Sequence, residues 1–360
     1  MNIQTVLDHL RGRDDQALFA EAEAVKHAVF GRQVYLRGIV EFSSHCCKRC
    51  LYCGLRAPNA RAVRYRLPPE RVVQAALLAP ELGLGTVVLQ SGDDYSYDVR
   101  TLCDMVRAIK DRSTLAVTLS LGDRPLDELA RLRDSGADRY LIKLETTDPG
   151  LYARLRPGER LEDRLARVEA LRRLGYEVGS GIIVGLPGMT GDILARDVLR
   201  LAELDLDMLA AGPFVPHPQT PLGGEPCGGL ETTLRVTALL RILSPRSNIP
   251  ATSALNSLPG AGAGPDARAR GLHAGCNVIM PSLTPGDVRR GYEIYPGKNV
   301  VEAGARQVVS QVRAAIHQEG FVPSAAPGFA PRSTNAAGTA RSQAGRGHCG
   351  GQERGQVVAD

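Results

Sequence analysis

The chain has 360 residues, 43% of them hydrophobic and 23% charged, with 44 Lys and Arg against 39 Asp and Glu. This is enough apolar material to bury a large core in one domain of barrel size. A formal charge of +5, the absence of Trp and the lack of a basic stripe interleaved with aromatics argue against a nucleic-acid partner. With no apolar run near the ~18 residues of a membrane span, they leave no membrane role either. The 8 cysteines, several clustered near residue 50, suit a reducing compartment in which thiols stay free. The first thirty residues read as ordinary amphipathic helices and not as a signal or transit peptide, so a cytoplasmic protein is expected.

In chain order, residues 1–30 form an N-terminal helical extension and residues 31–323 a (β/α)8 unit. Short β-branched runs alternate there with longer amphipathic segments, the pattern of βα units around a parallel sheet. Strands are predicted over 34–42, 86–90, 116–120, 139–143, 178–184, 208–212, 250–253 and 277–280. Eight strands imply a complete (β/α)8 TIM barrel, with helices such as ERVVQAALLAPEL, LEDRLARVEALRRL and ETTLRVTALLRIL between them. A last helix is predicted over 300–319. From residue 324 to 360 the chain turns to Ala, Gly, Ser, Pro and Arg, with too few large apolar side chains to offset ordering entropy, so a disordered tail is predicted. His348 and Cys349 in that tail read as incidental, not as a metal pair.

Directly after the first strand comes SSHCCKRCLYCGLR, residues 43–56, with Cys46, Cys50 and Cys53 at C-x3-C-x2-C spacing. Three thiolates so spaced can bind three irons of a [4Fe-4S] cluster and leave the fourth iron open. A structural zinc site or a disulfide is the plainer alternative, but zinc favours paired C-x2-C hooks and no second hook follows. Cys47 is out of register and reads as a small loop residue. The spacing resembles the radical S-adenosylmethionine (SAM) superfamily, in which SAM chelates the open iron and is cleaved reductively to a 5'-deoxyadenosyl radical. Tyr52 fits the aromatic that this family often carries before the last cysteine.

The remaining strand ends carry polar groups in positions that suit SAM. Ser91, Gly92 and Asp93 in LQSGDD look like the superfamily's short glycine-containing motif for the methionine amino group, although strand-Gly-Asp is also an ordinary turn. Thr118 and Ser120 alternate toward the barrel lumen in VTLSLG. Glu145, ending RYLIKLE, is placed to hold ribose hydroxyls by charge-assisted hydrogen bonds. Arg164 suits a bidentate pair with the methionine carboxylate; the alternative is a solvated helix face.

Taken in order, EFSSHCCKRCLYCGLR, VRYRLPPE, VVLQSGDD, VTLSLGDRP, GADRYLIKLETTDPGLYARLRPG, GSGIIVGLPGMT, AAGPFVPHPQTPL, SNIPATSALNSL and GCNVIMPSLTP resemble the HydE family of [FeFe]-hydrogenase maturases over roughly residues 30–300. Biotin synthase and the methylornithine-forming mutase resemble it less closely. The HydE resemblance implies a complete barrel with SAM at its top and one [4Fe-4S] cluster. It implies Glu145 and Arg164 as SAM-binding positions, with Ser91, Thr118 and Lys143 near them. It also implies action in assembly of the diiron site, on a small iron–carbonyl–cyanide–cysteine complex. A reductant such as ferredoxin or flavodoxin and transient contacts with the other hydrogenase maturases follow from the same resemblance. A lumen holding Thr252, Ser253 and Asn277, with His217 nearby, suits such an anionic complex, although the two hydroxyls also suit plain barrel packing. Pro213, Pro216 and Pro218 around Phe214 read as a rim loop.

Three departures accompany the resemblance. Many HydE proteins carry a second, accessory iron–sulfur site near the end of the barrel, whereas residues 299–321 here contain no cysteine. Cys103, Cys227 and Cys276 form no triad and read as packed thiols. Asp93 stands where Glu is frequent, and Leu144 where some members have His. A radical SAM mutase acting on a small amino acid keeps every SAM feature and changes only the lumen. A non-catalytic iron–sulfur carrier needs only the cysteines, and the polar strand ends argue against it.

Overall fold

Two helices open the chain, α1 (Ile3–Leu10) and α2 (Asp15–Phe30). Each starts on a side-chain cap, with Asn2 and Asp14 accepting from the N–H of Thr5 and Ala17 and so satisfying a donor that a helix start leaves free. Val6, Leu18 and Ala22 are buried in the main core, so the predicted extension is packed onto the domain. The computed structural model describes residues 1–258, 266–299 and 303–331.

Strands and helices then alternate: β1 (Gln33–Ser43), α3 (Pro69–Glu81), β2 (Thr86–Ser91), α4 (Val99–Arg112), β3 (Ala116–Ser120), α5 (Leu126–Asp134), β4 (Arg139–Leu141), α6 (Pro149–Leu155), α7 (Leu161–Arg173), β5 (Glu177–Val184), α8 (Gly191–Glu203), β6 (Met208–Pro213), α9 (Leu230–Leu243), α10 (Ala267–His273), β7 (Val278–Ile279), α11 (Gly286–Arg289), α12 (Ala305–Gln318) and β8 (Val322–Ser324). The strands are parallel in the order β6-β5-β4-β3-β2-β1-β7, with β8 added to β1. Covered on both faces, they read as near-continuous apolar runs; β1 is buried from Val34 to Ser43 apart from the half-buried Tyr35. The helices bury one stripe each, as in α4 through Leu102, Met105, Val106 and Ile109.

The strand predicted over 250–253 does not form as such. Asn248 makes a single bridge to Met208 of β6 and Pro250 a single bridge to Val278 of β7, while Ser253 begins a 3-10 turn, Ser253–Ser257. Asn248 carries this link because its backbone exchanges bonds with Asp207 and Leu209. The last predicted helix begins later than foreseen, at Ala305, and residue 300, where it was to begin, lies outside the described residues.

The tail does not begin at residue 324. Val322, Pro323 and Ser324 pair with Gln33, Val34 and Tyr35 of β1, and residues 325–330 then cross the amino ends of the strands. Pro327 O accepts from Thr86 and Arg139, Gly328 O from Arg37 and Asn248, and Glu177 accepts from Ala330 N–H. Arg139, wholly buried, also bonds Glu177 at 2.6 Å and stacks on Phe329. Buried donors demand acceptors, and this strap supplies them, which composition alone does not reveal. Residues 332–360, with the pair His348 and Cys349, lie outside the described residues.

Candidate active site

A cavity of about 340 Å³ opens where the strands end, lined by Cys46, Cys50, Cys53, Tyr52, Ser91, Gly92, Asp93, Ser120, Lys143, Glu145, Arg164, Thr252 and Ser253 among others. Parallel sheets carry their ligand sites at this end.

The cysteine loop between β1 and α3 has no regular structure and is held by its neighbours. Cys47 N–H donates to Asp93 O, Leu51 N–H to Leu155 O and Gly54 N–H to Ile294 O. Arg64 clasps the loop from within, donating to the carbonyls of Ser44, Leu55, Arg56 and Asn59. Gly92 is required here: a Cβ would stand 2.3 Å from His45 O and 2.7 Å from Cys46 Cβ. His217, buried, lies against Gly54 and accepts from Gln219 N–H, so it braces the loop from outside the cavity.

Burial holds the three thiols neutral: it pushes Cys46 up to about 12 with help from Asp93, and raises Cys50 and Cys53, Cys53 also through the other two cysteines. The three line one cavity. Yet among the described residues no three His, Cys, Asp or Glu side chains close on one point as a single metal ion requires. Bound iron would reverse the burial cost by deprotonating the thiols. The donor set fits a cluster.

Glu145 is the most constrained residue of the site. Its φ of 67° lies in the left-handed region, which costs a non-glycine residue about 1 kcal/mol or more. Backbone bonds to Gly181 and Ile183 pin it there. Its Oε2 is buried with no hydrogen-bond partner, and the Lys143 ammonium stands 3.6 Å away, beyond hydrogen-bond reach. Thr252 Oγ1, also on the cavity wall, is unpartnered too. Unpaired buried oxygens are costly, and two facing one cavity fit a polar ligand.

Arg164 is no solvated residue. Its guanidinium lies 3.2 Å from Asp123 and 3.3 Å from Glu159 and bonds the Tyr152 hydroxyl. Lys48, from within the cysteine loop, reaches Asp123 at 2.9 Å, Glu159 at 3.5 Å and Asp93 at 3.8 Å. Arg167 pairs with Asp123, and Arg156 with Glu159. Burial alone would lower the Lys48 ammonium, but Asp93, Asp123 and Glu159 together hold it above its ordinary value. Burial raises the Asp93 carboxyl, against the Asp123 N–H and Lys48. Gly122 leaves room for that carboxylate, since a Cβ at its φ of 73° would meet it at 2.2 Å.

Other foreseen residues are already engaged or lie elsewhere. The Tyr52 hydroxyl accepts from Arg156, Ser91 donates to Gly92 O, and Ser253 shares a 2.7 Å bond with Tyr295. Thr118 is fully buried, one layer below Ser120, and is absent from the cavity wall. Asn277 departs further: its amide bonds Asn248, Arg241 and the Ile249 N–H, so it braces the strand segments and does not line the lumen. Pro213 and Phe214 do more than shape a rim, because both line the cavity. Cys103 and Cys276 are buried and Cys227 half-buried, and none of the three lines the cavity.

The unforeseen wall is residues 292–298. Tyr292, Ile294, Tyr295 and Lys298 line the cavity, and Lys298 pairs at 2.9 Å with the wholly buried Glu41 of β1. An apolar–polar run with no strand or helix period carried no signal for it. The Lys48 network was equally silent, although LGDRP and RPGER contain its acids.

Comparison with known proteins sharpens this picture. The Radical SAM superfamily model matches residues 40–201. The [FeFe] hydrogenase maturase subunit HydE of Thermotoga maritima is 46% identical over 284 residues, covering 79% of this chain and 80% of that protein. A 3-methylornithine synthase of Methanosarcina barkeri is 28% identical over 83% of each chain. The crystal structure of methylornithine synthase superposes with a TM-score of 0.76 at 26% identity, covering 89% of this chain and 93% of that one. The chain belongs to the HydE family of the radical SAM superfamily.

Proposed function

We propose that this protein is an [FeFe]-hydrogenase maturase of the HydE type, acting on a small anionic iron–carbonyl–cyanide complex in assembly of the diiron site. The observation that carries the reading is the 46% identity with a HydE along 80% of that protein's length. Cys46, Cys50 and Cys53 hold one [4Fe-4S] cluster. When bound, cluster and SAM supply the one-electron chemistry.

The chain's own residues bind and orient. Glu145, with its unpartnered oxygen, receives the ribose hydroxyls, and Lys143 balances its charge. Ser91, Gly92 and Asp93 meet the methionine amino group, and Ser120 lies beside them. Arg164 is bracketed by two acids, so the methionine carboxylate is received by the cationic side of the Lys48, Arg156 and Arg164 network as a whole. Thr252 and Ser253 border the substrate. The bridges at Asn248 and Pro250 support closure of the sheet into a complete barrel that keeps bulk water from this cavity. No described helix is long and apolar enough to cross a membrane. A cytoplasmic setting, served by a ferredoxin or flavodoxin and by the other maturases, follows from the family reading.

Glu145→Ala and Glu145→Gly are expected to weaken SAM binding about 10- to 150-fold, from the ~1.5–3 kcal/mol of a charge-assisted contact. Glu145→Gly is expected to be the more thermostable of the two by about 1 kcal/mol, because glycine adopts this φ without strain. SAM titration followed by the electron paramagnetic resonance of the reduced cluster, together with melting curves, checks both. Wild-type affinity in the two variants would show that SAM lies elsewhere.

The function itself is tested by complementation. Extracts holding the hydrogenase and the other two maturases, but lacking their own HydE, should yield active hydrogenase when this protein is added. A preparation that cleaves SAM yet fails to complement would remove the maturase assignment. Incubation with lysine and other small amino acids, read by mass spectrometry, would then test the mutase class.

A further inference from the structure

Between Glu41 and Glu70 the chain carries no acidic residue and six basic ones: Lys48, Arg49, Arg56, Arg61, Arg64 and Arg66. This same stretch contributes the three cysteines. Lys48 is neutralised by Asp93, Asp123 and Glu159, and Arg66 by Asp94. No carboxylate among the described residues pairs with the other four. Arg56 and Arg64 turn onto loop carbonyls, which leaves their charge uncompensated, and Arg49 and Arg61 are exposed.

Burial alternates along the loop. Cys46, Lys48 and Cys50 face the cavity, while Cys47 and Arg49 between them are exposed. The outer surface of the loop is thus one residue removed from the thiols. Val63, 69% exposed, adds an apolar spot beside Arg61 and Arg64.

We infer that this loop face is the docking surface for a small acidic one-electron carrier protein. The inference rests on the cluster reading proposed above. Each transfer oxidises the carrier by one electron and reduces the cluster by one, and no bond forms or breaks. A partner seated on Arg49 stands one residue from Cys50, a proposed cluster ligand. Uncompensated arginines steer an acidic partner to this face and repel a basic one. Nucleic acid shares the charge sign, but no exposed aromatic side chain in this stretch offers a base a stacking platform.

The test uses the full chain in two forms. Cluster-free protein is titrated with an oxidised, acidic flavodoxin by calorimetry at low and high salt. The variant carrying Arg49→Glu and Arg61→Glu is expected to bind at least about tenfold more weakly, with a flatter salt dependence. Arg61→Glu alone, remote from the cysteines, is expected to show part of the loss, and Arg246→Glu, on the loop before Asn248, none. In cluster-loaded protein, reduction by flavodoxin hydroquinone is expected to slow by a similar factor while reduction by dithionite keeps its wild-type rate. Unchanged flavodoxin binding in the double variant, an equal loss with dithionite, or tighter binding of a single-stranded oligonucleotide than of flavodoxin would overturn the proposal. Arginine-dependent binding by protein that loads no cluster would refute the cluster reading and still support this surface.

Discussion

Replacing Cys46, Cys50 and Cys53 with alanine is expected to take the anaerobically reconstituted protein from about four bound irons per chain to almost none, and to abolish SAM cleavage with them. The three thiols face one cavity and belong to one loop, and no other cysteine among the described residues joins them. Cys103→Ala and Cys227→Ala are expected to keep full iron content and the visible absorption of the cluster. Iron analysis and the absorption spectrum decide the matter. A triple variant that retains its chromophore, or a wild-type protein that binds two clusters' worth of iron, would show that the ligands or the count are misassigned. The loop itself should survive, because its form rests on backbone bonds and on the Arg64 clasp and not on the thiols.

The second large effect is expected at the opposite end of the sheet. A chain ending at Pro323 loses the strap that accepts from Arg37, Thr86, Asn248 and Arg139 and that donates to Glu177. Each buried donor left without an acceptor costs about 1–3 kcal/mol, more where it is charged. Water entering the opened base recovers part of this, so a net loss of several kcal/mol is expected, with a melting point lowered accordingly. A chain ending at Pro331 keeps every one of these bonds and is expected to melt with the full-length protein. Equal melting points for the two truncations would mean that the strap contributes nothing to stability.

The strap and the cysteine loop illustrate what was and was not legible. C-x3-C-x2-C spacing is local, and three soft ligands that close together have few alternative uses, so the triad was readable as one ligand set without a fold. Strand runs such as those of β1 and β5 were readable because a strand buried on both faces must be apolar throughout. The segment around residue 250 was misjudged because it makes single bridges through Asn248 and Pro250, which leave no periodic pattern. Residues 325–330 looked like tail because their contribution is made by backbone carbonyls, and carbonyls are identical in every residue. Asn277 was placed in the lumen because an amide there suits an anionic complex, and Thr118 by alternation and by the HydE resemblance. One instead bonds sideways to Asn248 and Arg241, and the other sits a layer too deep.

Sequence by itself determined the family chemistry: a parallel α/β chain, a cysteine triad at the end of its first strand, and acidic and hydroxyl groups at the ends of those that follow. Only the tertiary structure decided which charges meet. Lys48, Asp93, Asp123, Arg156, Glu159, Arg164 and Arg167 come from four separate connections, and their network exists because the parallel sheet brings those connections to one end. The strain at Glu145 and its unpartnered oxygen belong to the same class. Both follow from how Gly181 and Ile183 hold its backbone, a constraint set by packing between neighbouring strands and carried by no pattern along the chain.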